Sequence, residues 1–291
     1  MKGTTLDDFI GSEDAKSELK RIIDFTFLYD PNLRENPAAP FPNRIFLYGP
    51  PGTGKSFLCR LLIDYFFETS SKANKPSEVI YIDSSFKDKY YGESERKLRE
   101  KLSKFNDYSK ITLMIIDEID TLFSSRMLLT NQTDVSLLGE LLKNLEGILV
   151  DNYYNNIVIS TTNSPETLDD ALIDRIANKT FFINGFKDKE QYKLMLSQTL
   201  NKYNLDYETI NLRDEDVEFF SQYCYQHKLT PRRTKKIIDE LLFNLKPDEF
   251  DFTDFQYSEQ NLDKIRKQLY SNHKKNIREI ILNSLETSKD F

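Results

Sequence analysis

The sequence lacks any long apolar run. Its uninterrupted apolar stretches are only a few residues long, as at Met114-Ile115-Ile116, whereas a membrane-spanning helix needs about 20 apolar residues. The first five residues also lack the apolar core of a secretory signal peptide. We therefore expect neither a membrane partner nor a secretory signal.

Cysteine and histidine are scarce as well. The chain has two of each, Cys59 and Cys224, and His227 and His273, without metal-ligand spacing. No HExxH pair occurs, which excludes a zinc-protease site of that type. Both cysteines are expected to stay reduced, which suits a cytoplasmic protein.

Basic residues are fewer than acidic ones, with 40 Lys and Arg against 47 Asp and Glu and a net charge of −7. General nucleic-acid binders usually show a basic excess, so nucleic acid is not the expected partner, although a local basic patch is not excluded. The 291 residues suit one large domain and a smaller one.

Short apolar runs alternate with helical patterns in the first two thirds of the chain. Strands are predicted at Ile45–Tyr48, Val79–Ile82, Ile111–Ile116, Ile157–Ile159 and Phe181–Ile183. Helices are predicted at Ser12–Leu28, with Ser12 as N-cap, and at Lys55–Phe67, Glu93–Phe105 and Leu137–Leu145. This alternation predicts an α/β fold in residues 1–185, with a mainly parallel sheet flanked by helices.

Residues 186–291 show no convincing strand pattern. Helical patterns cover Asp188–Tyr203, Asp214–Gln226, Pro231–Leu245, Asn261–Tyr270 and His273–Phe291. They predict a small all-helical domain that ends in a C-terminal helix.

A phosphate-binding loop follows the first predicted strand and opens a helix. The residues are Gly49, Pro50, Pro51, Gly52, Thr53, Gly54, Lys55 and Ser56, which match GxxxxGK[ST]. Glycines let successive backbone N–H groups surround phosphate oxygens, and the helix N-terminus adds its dipole. We expect Lys55 to reach the β- and γ-phosphates of ATP and the Ser56 hydroxyl to bind Mg²⁺.

Two adjacent acids end the third predicted strand. Asp117 and Glu118 follow Ile115-Ile116, at the edge where open α/β sheets bind ligands. Asp117 is expected to hold Mg²⁺ through the water shell of the ion, and Glu118 to polarise the attacking water as general base.

With these motifs the sequence resembles an AAA+ ATPase, in particular the AAA subgroup of katanin, spastin, fidgetin and the proteasomal ATPases. The resemblance covers nearly the whole chain, and it makes residues 186–291 the lid domain of a P-loop NTPase. It implies adenine contacts from the entry segment at Ile10 and Gly11 and nucleotide contacts through Phe57. Asn163, in Thr161-Thr162-Asn163, matches the sensor-1 asparagine that orients the attacking water.

The resemblance also implies a ring, usually a hexamer, with each nucleotide at a subunit boundary. Its sensor-1 strand is expected between the phosphate-loop strand and the Asp117 strand. Arg175 matches the first arginine finger, but Asn178 stands where relatives carry a second arginine, and Lys179 is a candidate for a partial substitute.

Two further segments bear on what the ring does. Lys89, Tyr90, Tyr91 and Gly92 resemble the pore loop of polypeptide-threading relatives, although two adjacent tyrosines also fit an ordinary aromatic surface. Arg232 and Arg233 open a helix capped by Thr230, where arginines oppose the helix dipole. Arginines that oppose the dipole suggest a nearby anion. Many AAA+ relatives outside the katanin group carry a sensor-2 arginine at this place, whereas the katanin group usually has small residues. The resemblance thus makes Arg232 a candidate sensor-2 residue, with a solvated basic turn as the alternative.

Three functions fit these features to different degrees. A ring motor that remodels or threads protein, acting on a polypeptide or an adaptor-bound substrate, is favoured by the pore segment and the acidic charge. A DNA-associated ATPase of clamp-loader or initiator type is favoured by the lid arginines. A small-molecule kinase leaves the finger segment and lid unexplained. Because the ATPase-like segment begins within the first residues, we expect recruitment through a partner chain or the C-terminal helix, unless the sequence is a trimmed piece.

Overall fold

A computed structural model describes residues 5–83, 93–105, 107–122, 139, 141, 153–168, 170–246, 262–271 and 277–287. The pore segment Lys89–Gly92 lies outside the described residues. The helix predicted at Leu137–Leu145 also lies outside them, apart from the helical positions 139 and 141. The described residues form two compact units that divide between Ile183 and Asn184.

The first unit is a five-stranded parallel sheet flanked by helices, so the predicted α/β fold is confirmed. Its strands are β1 (Arg44–Tyr48), β2 (Ser77–Ile82), β3 (Ile111–Ile116), β4 (Asn156–Thr162) and β5 (Lys179–Phe182). Its α-helices are α1 (Glu13–Thr26), α2 (Lys55–Ala73), α3 (Glu93–Phe105), α4 (Ile119–Leu122) and α5 (Asp170–Ile176). Short 3₁₀ turns occupy Leu6–Asp8 and Pro165–Thr167.

The strand order is β2-β3-β4-β1-β5, and the described pairs are parallel. Strand β4 therefore lies between β1 and β3, as the resemblance implied for the strand that carries Asn163. Parallel strands end at a common edge, which brings the residues after β1, β3 and β4 together. This shared edge is where the candidate site lies.

Both faces of the sheet are covered by apolar packing. Every residue of β3 and β4 is buried, as expected for strands with helices on both sides. Ile45 and Leu47 of β1 face one cluster, which includes Leu58 of α2, while Phe46 faces the other, which includes Leu172 of α5. The strands that carry the site are thus fixed from both faces.

Two local predictions differ from the structure. Ser12 precedes α1, but its backbone is left-handed, with φ of 50°, and its side chain makes no capping hydrogen bond. The capping geometry needs an extended backbone at that position, so the predicted cap is wrong. Strand β5 begins at Lys179, two residues before the predicted start at Phe181. The apolar pattern missed these two residues because both of them are polar.

The described residues of the second unit form helices joined by turns and loops, with no strand among them. It contains α6 (Lys189–Lys202), α7 (Asp214–Gln226), α8 (Pro231–Asn244), α9 (Leu262–Ser271) and α10 (Ile277–Thr287). One buried cluster joins these helices through residues such as Leu196, Phe220 and Ile238. Arg278 of α10 also donates to Asp216 of α7 at 2.9 Å, which ties the last helix to the unit. None of the helices in the described part of the chain is long and apolar enough to cross a lipid bilayer.

Candidate nucleotide-binding site

The loop between β1 and α2 has the backbone that its glycines predict. Gly49, Gly52 and Gly54 have φ values of 148°, 79° and 102°, in the region that side chains disfavour. Lys55 is the first residue of α2 and is 5% exposed. Its Nζ donates to the carbonyl oxygens of Gly49 at 2.7 Å and Pro50 at 2.9 Å. The loop therefore curls around the lysine amine at the helix N-terminus.

Gly49 also touches the end of the neighbouring strand. A Cβ atom at Gly49 would lie 2.2 Å from the carbonyl oxygen of Ile183, which no backbone can accept without moving. Ile183 N in turn donates to Tyr48 O at 2.8 Å, so the two segments are bonded at this point. Gly49 is therefore needed for close packing as well as for its φ.

We predict that Gly49→Ala lowers the free energy of unfolding by about 2 kcal/mol or more, because the alanine meets both backbone strain and the Ile183 carbonyl. The measurement is urea unfolding followed by circular dichroism, since the chain contains no tryptophan. Gly185→Ala is the matched control, because a Cβ there would meet its nearest atom, Pro231 Cδ, at 3.8 Å. Equal stability of the two variants would contradict this role for Gly49.

The Asp117 carboxylate lies at the same edge and is 7% exposed. Its Oδ1 accepts hydrogen bonds from Ser56 Oγ at 3.0 Å and Thr161 Oγ1 at 2.6 Å. Its Oδ2 accepts from Tyr81 Oη at 2.7 Å. Burial, together with this hydrogen bond to Asp117, raises the pKa of Tyr81, so the phenol stays a donor at neutral pH. The structure thus joins both predicted metal ligands, Ser56 and Asp117.

Glu118 is held through its backbone. Its N donates to Thr161 Oγ1 at 2.9 Å, so one threonine hydroxyl contacts both acids. The φ of Glu118 is 52°, a conformation that costs a non-glycine residue free energy and that clusters at functional sites. Asn163 directly follows β4 and is half-buried at the same sheet edge. The arrangement places the proposed base and the proposed sensor on adjacent strand ends.

The entry segment packs against the phosphate loop. Phe9 is buried, and its ring would lie 3.1 Å from a Cβ added at Gly54. Its ring centroid is 6.4 Å from that of Phe57. Lys16 Nζ donates to Phe9 O at 3.2 Å, which fixes the backbone just before Ile10 and Gly11. The segment predicted to contact adenine therefore begins beside the loop.

These residues fit ATP and Mg²⁺ by their chemistry. The positive φ values of three glycines and the N-terminus of α2 suit an anion such as a phosphate chain. A hydroxyl and a carboxylate 3.0 Å apart supply the oxygen ligands that Mg²⁺ prefers. The described residues contain no group of three His, Cys, Asp or Glu side chains able to hold a metal.

Comparison with known proteins agrees with this geometry. Residues 45–183 match the model of the family described as "ATPase family associated with various cellular activities (AAA)". Residues 45–183 form an AAA ATPase domain. This range runs from Ile45, the second residue of β1, to Ile183, the residue after β5. It contains the phosphate loop, Asp117, Glu118 and Asn163.

Individual relatives are AAA proteins of the subgroup that the sequence resembles. The chain is 29% identical over 207 residues to a spastin homolog of Caenorhabditis elegans, with 70% of this chain and 37% of that protein covered. It is 28% identical over 241 residues to a 26S proteasome regulatory subunit 6B homolog of Encephalitozoon cuniculi, covering 81% and 57%. It is 32% identical over 174 residues to mouse vacuolar protein sorting-associated protein 4B, covering 60% and 37%. The chain thus spans less than two thirds of the length of each of these relatives.

The segment predicted to carry the arginine finger lies at the opposite edge of the sheet. Arg175 is in the last turn of α5, and its backbone oxygen accepts from Arg44 Nη1 at 2.7 Å. Arg44 begins β1, whereas the phosphate loop follows Tyr48, so about 13 Å of strand separate the two ends. Arg175 is therefore not grouped with Lys55, Asp117 and Glu118 of its own chain.

The second finger position has a structural role instead. Asn178 Oδ1 accepts from Arg44 N at 2.9 Å, and Asn178 N donates to Arg44 O at 2.9 Å. These two bonds fix the start of β1 against the segment before β5. Lys179 pairs with Glu18 of α1 at 3.0 Å, and its part as a substitute for the second finger stays a prediction.

The lid arginines lie in the first turn of α8. Thr230 Oγ1 accepts from Arg233 N at 3.3 Å, which confirms the predicted cap, and Pro231 is the first helical residue. Arg232 and Arg233 are both exposed. They belong to the second compact unit, and the sensor-2 role of Arg232 stays a prediction.

Sequence reasoning missed Tyr81 and did not assign a role to Thr161. Thr161 lies two residues before Asn163, and its hydroxyl joins Asp117 to Glu118. Its polar side chain in a wholly buried strand was a signal that it had a specific partner. Tyr81 carried no such signal, because its proximity to Asp117 depends on β2 being the neighbour of β3.

Proposed function

We propose that this chain binds ATP with Mg²⁺ at Gly49–Ser56 and hydrolyses it to ADP and phosphate. The observation that supports this most strongly is the hydrogen-bonded set at the sheet edge. Ser56 and Thr161 donate to one oxygen of Asp117, and Thr161 also accepts from the backbone of Glu118. Loop, metal ligands and base are thereby linked, as a hydrolytic nucleotide site requires.

Each residue has a defined part in the proposed reaction. The Lys55 amine exchanges its carbonyl partners for the β- and γ-phosphate oxygens of ATP and neutralises their charge. Glu118 accepts a proton from the attacking water, and Asn163 orients that water. Mg²⁺, held by Ser56 and Asp117, supplies charge neutralisation on the phosphate oxygens when bound.

We also propose that the chain assembles into a ring, as a homo-hexamer. Arg175 lies at the sheet edge opposite its own phosphate loop, next to Arg44. An arginine so placed can complete a neighbouring subunit's site, where it neutralises charge developing on the γ-phosphate. Self-association would then be a condition for activity.

The proposed work of the ring is remodelling or threading of a polypeptide, in the cytoplasm. One relative is named a 26S proteasome regulatory subunit homolog and another a spastin homolog. The segment Lys89–Gly92 supplies the pore loop in this proposal, with Tyr90 gripping the passing chain. The DNA-associated alternative is kept because Arg232 and Arg233 are exposed at a helix N-terminus.

We predict that Tyr90→Ala keeps basal ATP hydrolysis but loses stimulation by polypeptide. An aromatic side chain buries apolar surface against a polypeptide of almost any sequence. Its removal should therefore weaken binding of the polypeptide and leave ATP hydrolysis itself unchanged. The measurement is the ATPase rate with and without an unfolded polypeptide, and separately with single-stranded DNA.

Tyr90→Phe is the matched variant, since it retains the ring and should retain stimulation. Stimulation by polypeptide that survives in Tyr90→Ala would remove this residue from the proposal. Stimulation by DNA alone, unaffected by Tyr90→Ala, would replace the threading motor with the DNA-associated ATPase.

A further inference from the structure

The hydroxyl of Tyr81 reaches the Asp117 carboxylate from a neighbouring strand. Tyr81 is in register with Ile115 across the parallel β2–β3 pair. Alternate residues of a strand face the same side of a sheet, so Tyr81, Ile115 and Asp117 share one face. The Tyr81 side chain is half-buried on that face, and its Oη lies 2.7 Å from Asp117 Oδ2.

The three donors around Asp117 are divided between its two oxygens. Oδ1 takes the hydroxyls of Ser56 and Thr161, whereas Oδ2 takes the phenol of Tyr81. Rotation of the carboxylate about its Cβ–Cγ bond would break hydrogen bonds on both sides at once. The Tyr81 bond therefore helps to keep Oδ1 beside the Ser56 hydroxyl, the other proposed Mg²⁺ ligand.

Tyr81 is itself held in place through its backbone. Its carbonyl oxygen accepts from Lys101 Nζ of α3 at 2.7 Å, and β2 is paired with β3 along its whole length. The phenol thus extends from a strand end that is fixed on two sides. A donor with so little freedom can orient a metal ligand at small entropic cost.

We propose that Tyr81 is a positioning residue for Mg²⁺, whose hydroxyl fixes the orientation of the Asp117 carboxylate. The inference rests on the proposed function, since it concerns the same site. Groups that hydrogen-bond a metal ligand from outside orient it and tune its affinity. Tyr81 would therefore affect the metal-dependent part of nucleotide binding and leave the metal-independent part alone.

The test compares Tyr81→Phe with the unaltered chain in two titrations. An ATP analogue with a fluorescent ribose label is titrated first in EDTA and then, at fixed analogue, with increasing Mg²⁺. We expect the affinity in EDTA to be unchanged. The Mg²⁺ concentration that gives half of the binding response should rise about tenfold, the size typical for loss of such a partner.

Tyr65→Phe is the matched control. It removes a phenol–carboxylate hydrogen bond of the same length, between Tyr65 Oη of α2 and Asp24 Oδ1 of α1 at 2.7 Å. Its Mg²⁺ response should equal that of the unaltered chain. Circular dichroism melting curves of both variants check that each is folded.

Two outcomes would overturn the inference. One is a Mg²⁺ response of Tyr81→Phe equal to that of Tyr65→Phe. The other is an equal loss of binding by Tyr81→Phe in EDTA and in Mg²⁺, because that would show a general effect on the fold. Failure of the unaltered chain to bind the nucleotide at all would instead contradict the proposed function, so the two failures are distinguishable.

Discussion

Glu118→Gln is expected to bind ATP normally and to hydrolyse it at least about 100-fold more slowly, the contribution typical of a positioned general base. The amide has the shape of the carboxylate but cannot accept the proton of the attacking water. The backbone hydrogen bond from Glu118 N to Thr161 Oγ1 does not involve the side chain, so the local structure should be kept. Phosphate release gives the rate, and titration with a labelled ATP analogue gives the affinity.

Glu166→Gln is the control for this change. Glu166 is exposed in the 3₁₀ turn that follows β4, so the same loss of charge there should leave the rate intact. Near-normal turnover in Glu118→Gln would remove Glu118 from the mechanism. A parallel loss of ATP affinity would show that the substitution disturbs binding rather than proton transfer.

Arg175→Ala is expected to lower the rate by about 10³-fold while ATP affinity changes little, the lower end of the range for an arginine supplied to a phosphoryl-transfer site. The contact between Arg44 and this position uses the Arg175 backbone oxygen. Truncation of the side chain therefore leaves that contact in place. Rate and affinity are measured as for Glu118→Gln, at a protein concentration where rings are present.

The control for the finger is Arg60→Ala, because Arg60 is an exposed arginine on α2. It should retain the rate of the unaltered chain. If Arg175→Ala also retains it, the finger assignment is wrong. Sedimentation of each variant checks that a lower rate does not follow simply from loss of assembly.

The sequence was sufficient for those parts of the site that depend on neighbours along the chain. The loop Gly49–Ser56 follows a strand and opens a helix, and both features are readable from local patterns. Asp117 and Asn163 each follow a buried strand, and parallel strands share an edge. The main residues of the site can therefore be grouped from the sequence alone.

The parts that depend on sheet order could not be predicted in the same way. Tyr81 reaches Asp117 only because β2 lies beside β3, and nothing in residues 77–82 indicates a partner in residues 111–117. Asn178 was considered only as a missing arginine. Its bonds to Arg44 join positions 134 residues apart, which local sequence patterns do not encode.

Local backbone conformation at individual residues could not be predicted from the sequence either. Ser12 has a residue type suited to an N-cap, but its backbone is left-handed and its side chain makes no capping hydrogen bond. Glu118 also has a positive φ, although glutamate has no preference for it. Such conformations are imposed by tertiary packing, so residue preferences do not reveal them.

If Arg175 of one subunit completes the site of the next, two inactive variants should restore activity to each other when their subunits are mixed. Glu118→Gln and Arg175→Ala chains are mixed in equal amounts, allowed to assemble, and assayed for ATP hydrolysis beside each variant alone. In a head-to-tail ring, an interface is intact when an Arg175→Ala subunit supplies the site and a Glu118→Gln subunit supplies the finger. Random assembly makes about one quarter of the interfaces intact.

We therefore expect the mixture to recover about one quarter of the unaltered rate if interfaces act independently, although each variant alone is nearly inactive. A mixture that forms rings and stays as inactive as its components would show that Arg175 does not act on the site of a neighbouring subunit.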